Sequence, residues 1–460
     1  MTSSQQFGSK NWTIFFAIIA ISLYFFFAYY VQRENYALLV SQYLLLFVPF
    51  LYFLKFEKKN IPFLIGMAIL LRLVFLFAIP NLSQDFYRFI WDGRMILEGF
   101  NPYISLPETF IQERNFPVEQ AIDLYKGMGE LNGSHFTNYP PVNQLNFLIA
   151  AIFSNSSILG AAVVLRLQII LADIGIIYFG KKILERLNLP VHHIFLYALN
   201  PFIIIEMTGN LHFEPVMLFF LVWSLYLLLN KKWIWAAVLL GISVSVKLIP
   251  LLFLPLFSQY FTKGKNIKGF LRLIYFGLIV VATTLLFFLP FVSSELISSY
   301  SNSVGLWFRN FEFNASLYYI AREIGYLFRG WNEIAIIGKI MPLLVIAFLA
   351  IITSFRKNDK PQELITALLL GLTFYYFTTT TMHPWYLATL ILLSVFTKYR
   401  FALVWSVAII LSYQAYANDP WKENLWFVGL EYALVYGYLL YEIVKIKRQK
   451  IATPQSSPTP

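Results

Sequence analysis

Long apolar runs alternate with short polar segments along almost the whole chain. A membrane-spanning helix needs about 20 consecutive apolar residues, and no long stretch alternates polar and apolar residues with a period of two. The pattern therefore predicts an all-α polytopic membrane protein with about 13–14 transmembrane helices. The predicted spans are 13–31, 36–54, 61–80, 158–180, 191–207, 213–230, 233–247, 249–262, 270–292, 335–354, 362–381, 384–397, 400–417 and 426–445.

Seven short connections between these spans are basic, and cytoplasmic loops are the ones enriched in Lys and Arg. They are KFEKKN (55–60), KKILER (181–186), NKK (230–232), KGKNIK (263–268), FRKNDK (355–360), TKYR (397–400) and KIKRQK (445–450). All of them fall on one side if 233–262 is two short helices broken near Lys247 and Pro250, since proline interrupts a helix. The same count requires 144–155 to lie at the opposite interface. Both chain termini are then predicted to be cytoplasmic.

The other, extracytoplasmic face collects most of the remaining polar residues, in the segments 81–157, 207–215, 292–334 and 381–386. The first segment is predicted to be a large outer loop with interfacial helices that carries the chemistry. Residues 1–450 are predicted to form a single transmembrane domain, and 451–460 a disordered tail.

Composition supports a multi-pass protein of the inner or plasma membrane. Hydrophobic residues make up 58% of the chain and charged residues only 13%, whereas soluble domains carry about 25% charged residues. The net charge of +11 is explained by the basic loops, so no nucleic acid partner is predicted. The chain has no cysteine, which excludes disulfides and thiolate chemistry.

The stretch SQDFYRFIWDGRMILEGFNPY, residues 83–103, concentrates charge beside a predicted span. Asp85 and Asp92 are seven residues apart and would share one face of a helix, with Arg88 one turn from both. A carboxylate can take a proton from a hydroxyl nucleophile or bind a divalent metal. The competing interpretation is a salt-bridge cluster that orients the loop.

Other polar positions permit binding of a phosphate and a sugar. Lys247 lies within an apolar run, where a charge is costly unless it meets an anion or reaches the interface. Arg309 and Arg322 follow an amphipathic pattern that an interfacial helix also explains. His383, Trp385 and Tyr386 could stack on a sugar or bind a phosphate. The alternative explanation for Trp385 and Tyr386 is that they belong to the aromatic belt at the membrane interface. Metal binding by the His and Glu residues of 206–214 is a less specific possibility than a polar pocket.

Within the fourth predicted span, Arg166 and Asp173 lie on one face, and we expect an ion pair that holds helices together. The candidate substrate-binding residues of the chain are Arg88, Asp92, Tyr139, Asn210, His212, Glu214, Lys247, Arg309, His383, Trp385 and Tyr386.

Together these residues favour transfer of a group from a lipid-phosphate donor to a hydroxyl acceptor. Carboxylates would activate the hydroxyl, and Lys, Arg and His would hold the phosphate. A transporter or flippase of a lipid-linked glycan would use the same cations without chemistry, but transporters often have repeated halves and no repeat is evident. A glycan polymerase or ligase is a third alternative, which the Asp85 motif disfavours.

Five motifs, in order, resemble the GT-C superfamily, especially bacterial polyprenol-phosphate-mannose-dependent mannosyltransferases and their eukaryotic relatives that act on GPI precursors. They are the 83–103 stretch, NYPPV (138–142), LNPFIIIEMTGNLHFEPV (199–216), VKLIPLLFLP (246–255) and MHPWYL (382–387). The resemblance covers residues 81–390.

The resemblance implies a polyprenyl-phosphate sugar donor, with mannose the expected sugar, and a lipid or glycan acceptor. It implies inversion at the anomeric carbon and assigns the catalytic carboxylate to Asp85. The family often has an acidic residue just before it, where this chain has Gln84. That difference weakens a two-carboxylate metal site and favours metal-independent catalysis, with a divalent metal as the alternative; no other cofactor is predicted. Lys247, His383 and Arg309 would then stabilise the leaving phosphate.

Overall fold

The structure is a computed structural model that describes residues 3–154, 156–264, 266–309 and 311–452, with side chains outside 3–10, 306–309 and 450–452. Its described residues are overwhelmingly helical, and their only strand-type pairing is an isolated bridge between Phe313 and Thr381. The predicted all-α class is therefore confirmed. Most of the predicted tail, from residue 453 onward, lies outside the described residues.

The first three helices are α1 (Ser3–Tyr30), α2 (Tyr36–Phe56) and α3 (Ile61–Leu73). Asparagine residues cap the N-termini of α2 and α3. Asn35 accepts a hydrogen bond from the amide of Leu38, and Asn60 accepts one from Phe63. These caps satisfy backbone donors that the first helical turn leaves unpaired.

The 81–157 segment contains four helices, as the sequence predicted in outline. They are α4 (Asp85–Leu97), α5 (Pro107–Gln112), α6 (Ala121–Gly133) and α7 (Pro141–Ser154), with a 3₁₀ turn at Pro102–Ile104. Helix α4 packs on α6 and α7. A Cβ atom at Gly93 would lie 2.2 Å from the carbonyl oxygen of Phe147, so glycine permits the close approach of α4 to α7. Phe89 stacks on Phe147 across the same contact, with ring centroids 4.5 Å apart.

The middle of the chain runs through α8 (Ile158–Arg186), α9 (Phe195–Ala198), α10 (Glu214–Leu229), α11 (Trp233–Val246), α12 (Ser258–Thr262) and α13 (Ile267–Phe288). Val191–Ile194 forms a 3₁₀ turn and Ile203–Gly209 a π-helix. Helix α11 ends before Lys247, and a 3₁₀ helix, Ile249–Phe257, follows. The predicted break is therefore confirmed.

The last helices are α14 (Leu296–Arg309), α15 (Leu317–Arg329), α16 (Ile334–Phe355), α17 (Pro361–Thr378), α18 (Leu387–Val395), α19 (Phe401–Ala408) and α20 (Leu425–Ala452). Short 3₁₀ segments at Leu289–Phe291, Pro384–Tyr386 and Ile409–Ala417 precede or extend them.

Each predicted span contains one helix or consecutive short ones, although in the predicted span 61–80 the helix ends at Leu73. Within the described part of the chain, 6 helices are long and apolar enough to cross a membrane, and 7 spans result if one bent pair is counted. Most of the other predicted spans are apolar helices of 10–17 residues. The multi-pass architecture is thus confirmed, whereas the full number of crossings stays a prediction.

The buried charges of α8 pair differently from the expectation. Asp173 accepts a 2.7 Å bond from Nε of Arg72 in α3 and a 2.9 Å bond from the Tyr197 hydroxyl. Arg166 instead donates to the backbone carbonyls of Thr208 and Gly209 at 2.9 and 3.1 Å. An ion pair does hold two helices together here, but Asp173 forms it with Arg72 of α3, and the expectation that Arg166 takes part is wrong.

Candidate active site

A cavity of about 510 Å³ opens where α4, the Lys247 break and the 381–386 segment meet. Seven of the residues singled out from the sequence line it, although they come from four separate parts of the chain. They are Asp85, Arg88, Tyr139, Lys247, His383, Trp385 and Tyr386.

Asp85 is the first residue of α4, where the helix dipole favours negative charge. Its amide donates to Oγ of Ser83 at 3.3 Å, and its Oδ1 accepts a 3.3 Å hydrogen bond from the Asn132 side chain. Burial raises the pKa of Asp85, while the Asn132 hydrogen bond and the charge of Lys247 act in the opposite direction. A carboxylate with a raised pKa is a stronger base once it is ionised.

Lys247 follows the last residue of α11, and its Nζ forms an ion pair with the Glu214 carboxylate. The same Nζ lies 5.1 Å from the centroid of the Tyr386 ring. The Glu214 side chain is only 2% exposed, compared with 20% for Lys247. Glu214 therefore lies behind the cavity wall and holds Lys247, which itself faces the cavity.

Trp385 is stacked between two histidines. Its ring centroid lies 3.9 Å from that of His212 and 4.4 Å from that of His383, with interplanar angles of 18° and 5°. His383 lines the cavity, whereas His212 packs behind Trp385. Burial and the nearby Lys247 lower the pKa of His383 to about 3, so its imidazole is neutral at physiological pH.

Arg88 and Asp92 pair with each other rather than with Asp85. Nε of Arg88 donates to Asp92 at 2.7 Å, and Gln144 donates to the other oxygen of Asp92 at 3.0 Å. Asp92 is fully buried. Arg88 also donates to the carbonyl of Asn132 at 2.5 Å. The pair therefore fixes α4 to the end of α6, and this corrects the expectation that Asp92 contacts substrate.

The remaining candidates are Asn210, Arg322 and Arg309, whose contacts could not be predicted from the sequence. Asn210 is buried, accepts a 2.9 Å bond from the amide of Leu82 and donates to the carbonyl of Ile205 at 3.1 Å. It thus fixes the chain just before Asp85. Arg322 pairs with Glu312 at 2.6 Å. The Arg309 side chain lies outside the described residues.

Other cavity residues were not singled out as candidates by sequence analysis, among them Arg33, Gln84, Asn132, Tyr416 and Trp421. Gln84 was noted only as a departure from a family pattern. Their local sequences carry no distinctive signal, since tertiary contacts alone bring them together. Among the described residues, no group of three or more His, Asp or Glu side chains is placed to hold a metal ion.

Comparison with known proteins bears on this site directly. A family model described as "Alpha-(1->6)-mannopyranosyltransferase, N-terminal domain" matches residues 26–263, which include Asp85, Asn132 and Lys247. The chain belongs to this mannosyltransferase family. The resemblance read from the motifs is thereby confirmed at the level of the family, while the 381–386 segment lies beyond the matched residues.

A curated relative, "Alpha-(1->6)-mannopyranosyltransferase A" of Corynebacterium glutamicum, is 26% identical over 184 residues. The alignment covers 39% of this chain and 35% of the relative. The chain thus matches about a third of the length of this relative.

Proposed function

We propose that this chain is an integral membrane mannosyltransferase. It moves mannose from a polyprenyl-phosphate donor to a hydroxyl of a lipid or glycan acceptor, on the extracytoplasmic face and with inversion. The observation that supports this proposal most strongly is that Asp85 and Lys247 line one cavity within a helical membrane protein. The cavity therefore offers a base and a cation to the same ligand.

Asp85 acts as the general base. As the acceptor oxygen attacks the anomeric carbon, its proton passes to the Asp85 carboxylate, and the bond between that carbon and the phosphate oxygen breaks. The polyprenyl phosphate leaves with the bonding electrons. A single displacement from the opposite face inverts the anomeric centre. The raised pKa of Asp85 suits proton abstraction from a hydroxyl.

Lys247 stabilises the leaving phosphate. An ammonium has three donors, and one of them is directed at Glu214, which leaves the others for phosphate oxygens. Neutral His383 contributes a single N–H donor from the same wall. Arg309 stays a candidate from its sequence position. Charge stabilisation of this kind acts most strongly in a site that excludes water.

Tyr139, Trp385 and Tyr386 give the cavity an aromatic lining near Asp85. Flat aromatic rings present apolar faces that suit the C–H faces of a pyranose, while the hydroxyls find polar partners at the edges. These residues are proposed to orient the donor sugar between base and phosphate.

The experiment uses purified protein in lipid vesicles, polyprenyl-phosphate mannose carrying a radiolabelled sugar, and octyl α-mannoside as the acceptor probe. An enzyme yields labelled octyl dimannoside and an equal amount of polyprenyl phosphate. A transporter would move the donor across the bilayer with its sugar still attached. Polyprenyl-phosphate glucose in a parallel reaction tests the sugar. Intact donor in every wild-type reaction would contradict the proposal.

A further inference from the structure

Asp85 has a second cation nearby that the proposed transfer does not use. Arg33 lies in the turn between α1 and α2 and lines the same cavity. It donates to Oε1 of Gln84 at 3.1 Å and to the carbonyl of Leu82 at 3.4 Å. Arg33 is thereby fixed to the backbone that carries Asp85, and its charge acts on that carboxyl together with the charge of Lys247.

The two cations reach the cavity from different elements and have different partners. Lys247 is held by Glu214 and Tyr386, whereas the Arg33 guanidinium lies 4.9 Å from the centroid of the Tyr416 ring. The side chain of Arg33 is 25% exposed. Its Nε also donates to Glu34 at 3.2 Å, and each of the two terminal nitrogens keeps one further N–H for a ligand.

An aromatic wall continues from Arg33 towards His383. The ring of Phe313 lies 5.9 Å from Tyr416, 6.2 Å from Trp421 and 5.5 Å from His383. Backbone hydrogen bonds hold Phe313 against the 380–382 segment. Phe313 itself is 1% exposed and lies against Tyr416, Trp421 and His383, and these three residues line the cavity.

Trp421 stands out on this wall because 47% of its surface is exposed. An exposed tryptophan that faces lipid or headgroups needs no ligand to explain it, because tryptophan is enriched at membrane interfaces. Trp426, which is 88% exposed and does not line the cavity, fits that description. Trp421 instead lines the cavity that contains Asp85. Its exposed face supplies apolar surface to the same cavity in which the Arg33 guanidinium supplies hydrogen-bond donors, and a sugar ring requires both.

We propose that Arg33, Tyr416 and Trp421 form the subsite for the terminal pyranose of a glycan acceptor. The proposal rests on the mannosyl transfer proposed above. A single displacement requires the acceptor hydroxyl on the face of the anomeric carbon opposite the phosphate. Arg33 and Lys247 line the same cavity and both act on the Asp85 carboxyl. The phosphate is assigned to Lys247, and the acceptor is therefore assigned to the second cation, Arg33. Residues 416 and 421 lie beyond the residues that the family model matches.

The test compares wild type with Trp421→Ala, Trp421→Phe and Trp426→Ala in the radiolabelled mannose assay, with octyl α-mannoside varied. Trp421→Ala should raise the acceptor KM by about ten-fold or more, as expected when a central aromatic contact is removed. The donor KM should change little. Trp421→Phe should restore most of the acceptor affinity because it keeps an aromatic face, and Trp426→Ala should behave as wild type.

Calorimetric titration of octyl α-mannoside into each protein, with 1-octanol as the control for the tail, provides a readout that needs no turnover. Weaker mannoside binding by Trp421→Ala than by Trp426→Ala supports the subsite even if no donor is turned over. Equal binding by the two variants overturns it. A rise in the donor KM with an unchanged acceptor KM also overturns it, and leaves the proposed transfer standing.

Discussion

The side-chain amide of Asn132 donates a hydrogen bond to Oδ1 of Asp85 over 3.3 Å, and the same amide donates to the carbonyl of Met128 at 3.2 Å. Asp85 therefore has a neutral carboxamide neighbour held in place by α6. The hydrogen bond stabilises the ionised carboxylate, which lowers the pKa of Asp85 against the effect of burial.

Replacing Asn132 should change the pH dependence of the reaction. Asn132→Ala removes a hydrogen bond to the charged form, so the pKa of Asp85 rises further. A base is active only when ionised, and activity falls as the pH drops through its pKa. The acid limb of kcat/KM against pH should therefore move to higher pH. Asn115→Ala, at an exposed carboxamide of the same segment, is the control, and an unmoved or lowered limb in Asn132→Ala would contradict this role.

Variants of the Lys247–Glu214 pair should distinguish an effect on stability from an effect on donor binding. Lys247→Met leaves the Glu214 carboxylate buried and unpaired, which should cost about 3 kcal/mol of stability. It should also raise the donor KM because the phosphate loses its cation. The double variant Lys247→Met/Glu214→Gln removes both charges and should recover most of the thermal unfolding midpoint. Recovery of donor affinity in the double variant would show that Lys247 is only structural.

The pair formed by Arg72 and Asp173 is expected to act on stability. Both side chains are 1% exposed and their atoms are 2.7 Å apart. Arg72→Met leaves the buried carboxylate of Asp173 without its cation and should destabilise the protein by about 3–5 kcal/mol. Lys263→Met breaks a 2.8 Å pair with Asp359 in which the lysine is 58% exposed, and should lower the unfolding midpoint much less, because solvent screens exposed pairs. Thermal unfolding in detergent compares the two, and equal shifts would refute the distinction.

Sequence reasoning succeeded for features that local sequence determines. The apolar runs predicted the helices because each span must satisfy its backbone hydrogen bonds internally and bury itself in lipid, and both conditions are local. The interruption at Lys247 was predictable for the same reason, since Pro250 and a charge lie within one apolar run.

Pairing across the fold was not predictable from local pattern. Arg166 lies seven residues from Asp173 on one helix face, yet Asp173 pairs with Arg72 on another helix. Asp92 does pair with Arg88, as the one-turn spacing allowed, but its other partner, Gln144, comes from α7 and was not predicted. Whether a charge faces a neighbour or a cavity depends on how helices pack, and spacing alone does not record that.

His383 should act as a neutral hydrogen-bond donor. Its pKa of about 3 predicts no inflection from this imidazole in the rate profile between about pH 5 and 8, where an unperturbed histidine titrates. His383→Gln keeps an N–H donor and should retain more activity than His383→Leu. The measurement is kcat against pH, at saturating donor, for wild type and both variants. If the wild-type profile has an inflection in that window that His383→Gln removes, the neutral role is wrong.

The central claim is that Asp85 takes the proton from the acceptor hydroxyl. The direct measurement is release of polyprenyl phosphate from radiolabelled polyprenyl-phosphate mannose by wild type, Asp85→Asn and Asp123→Asn, each purified in lipid and checked for an unchanged unfolding midpoint. Asp123 is an exposed carboxylate on α6 and serves as the matched control. Release by wild type and Asp123→Asn, with none by folded Asp85→Asn, is the predicted result. Release by folded Asp85→Asn at the wild-type rate would contradict the account.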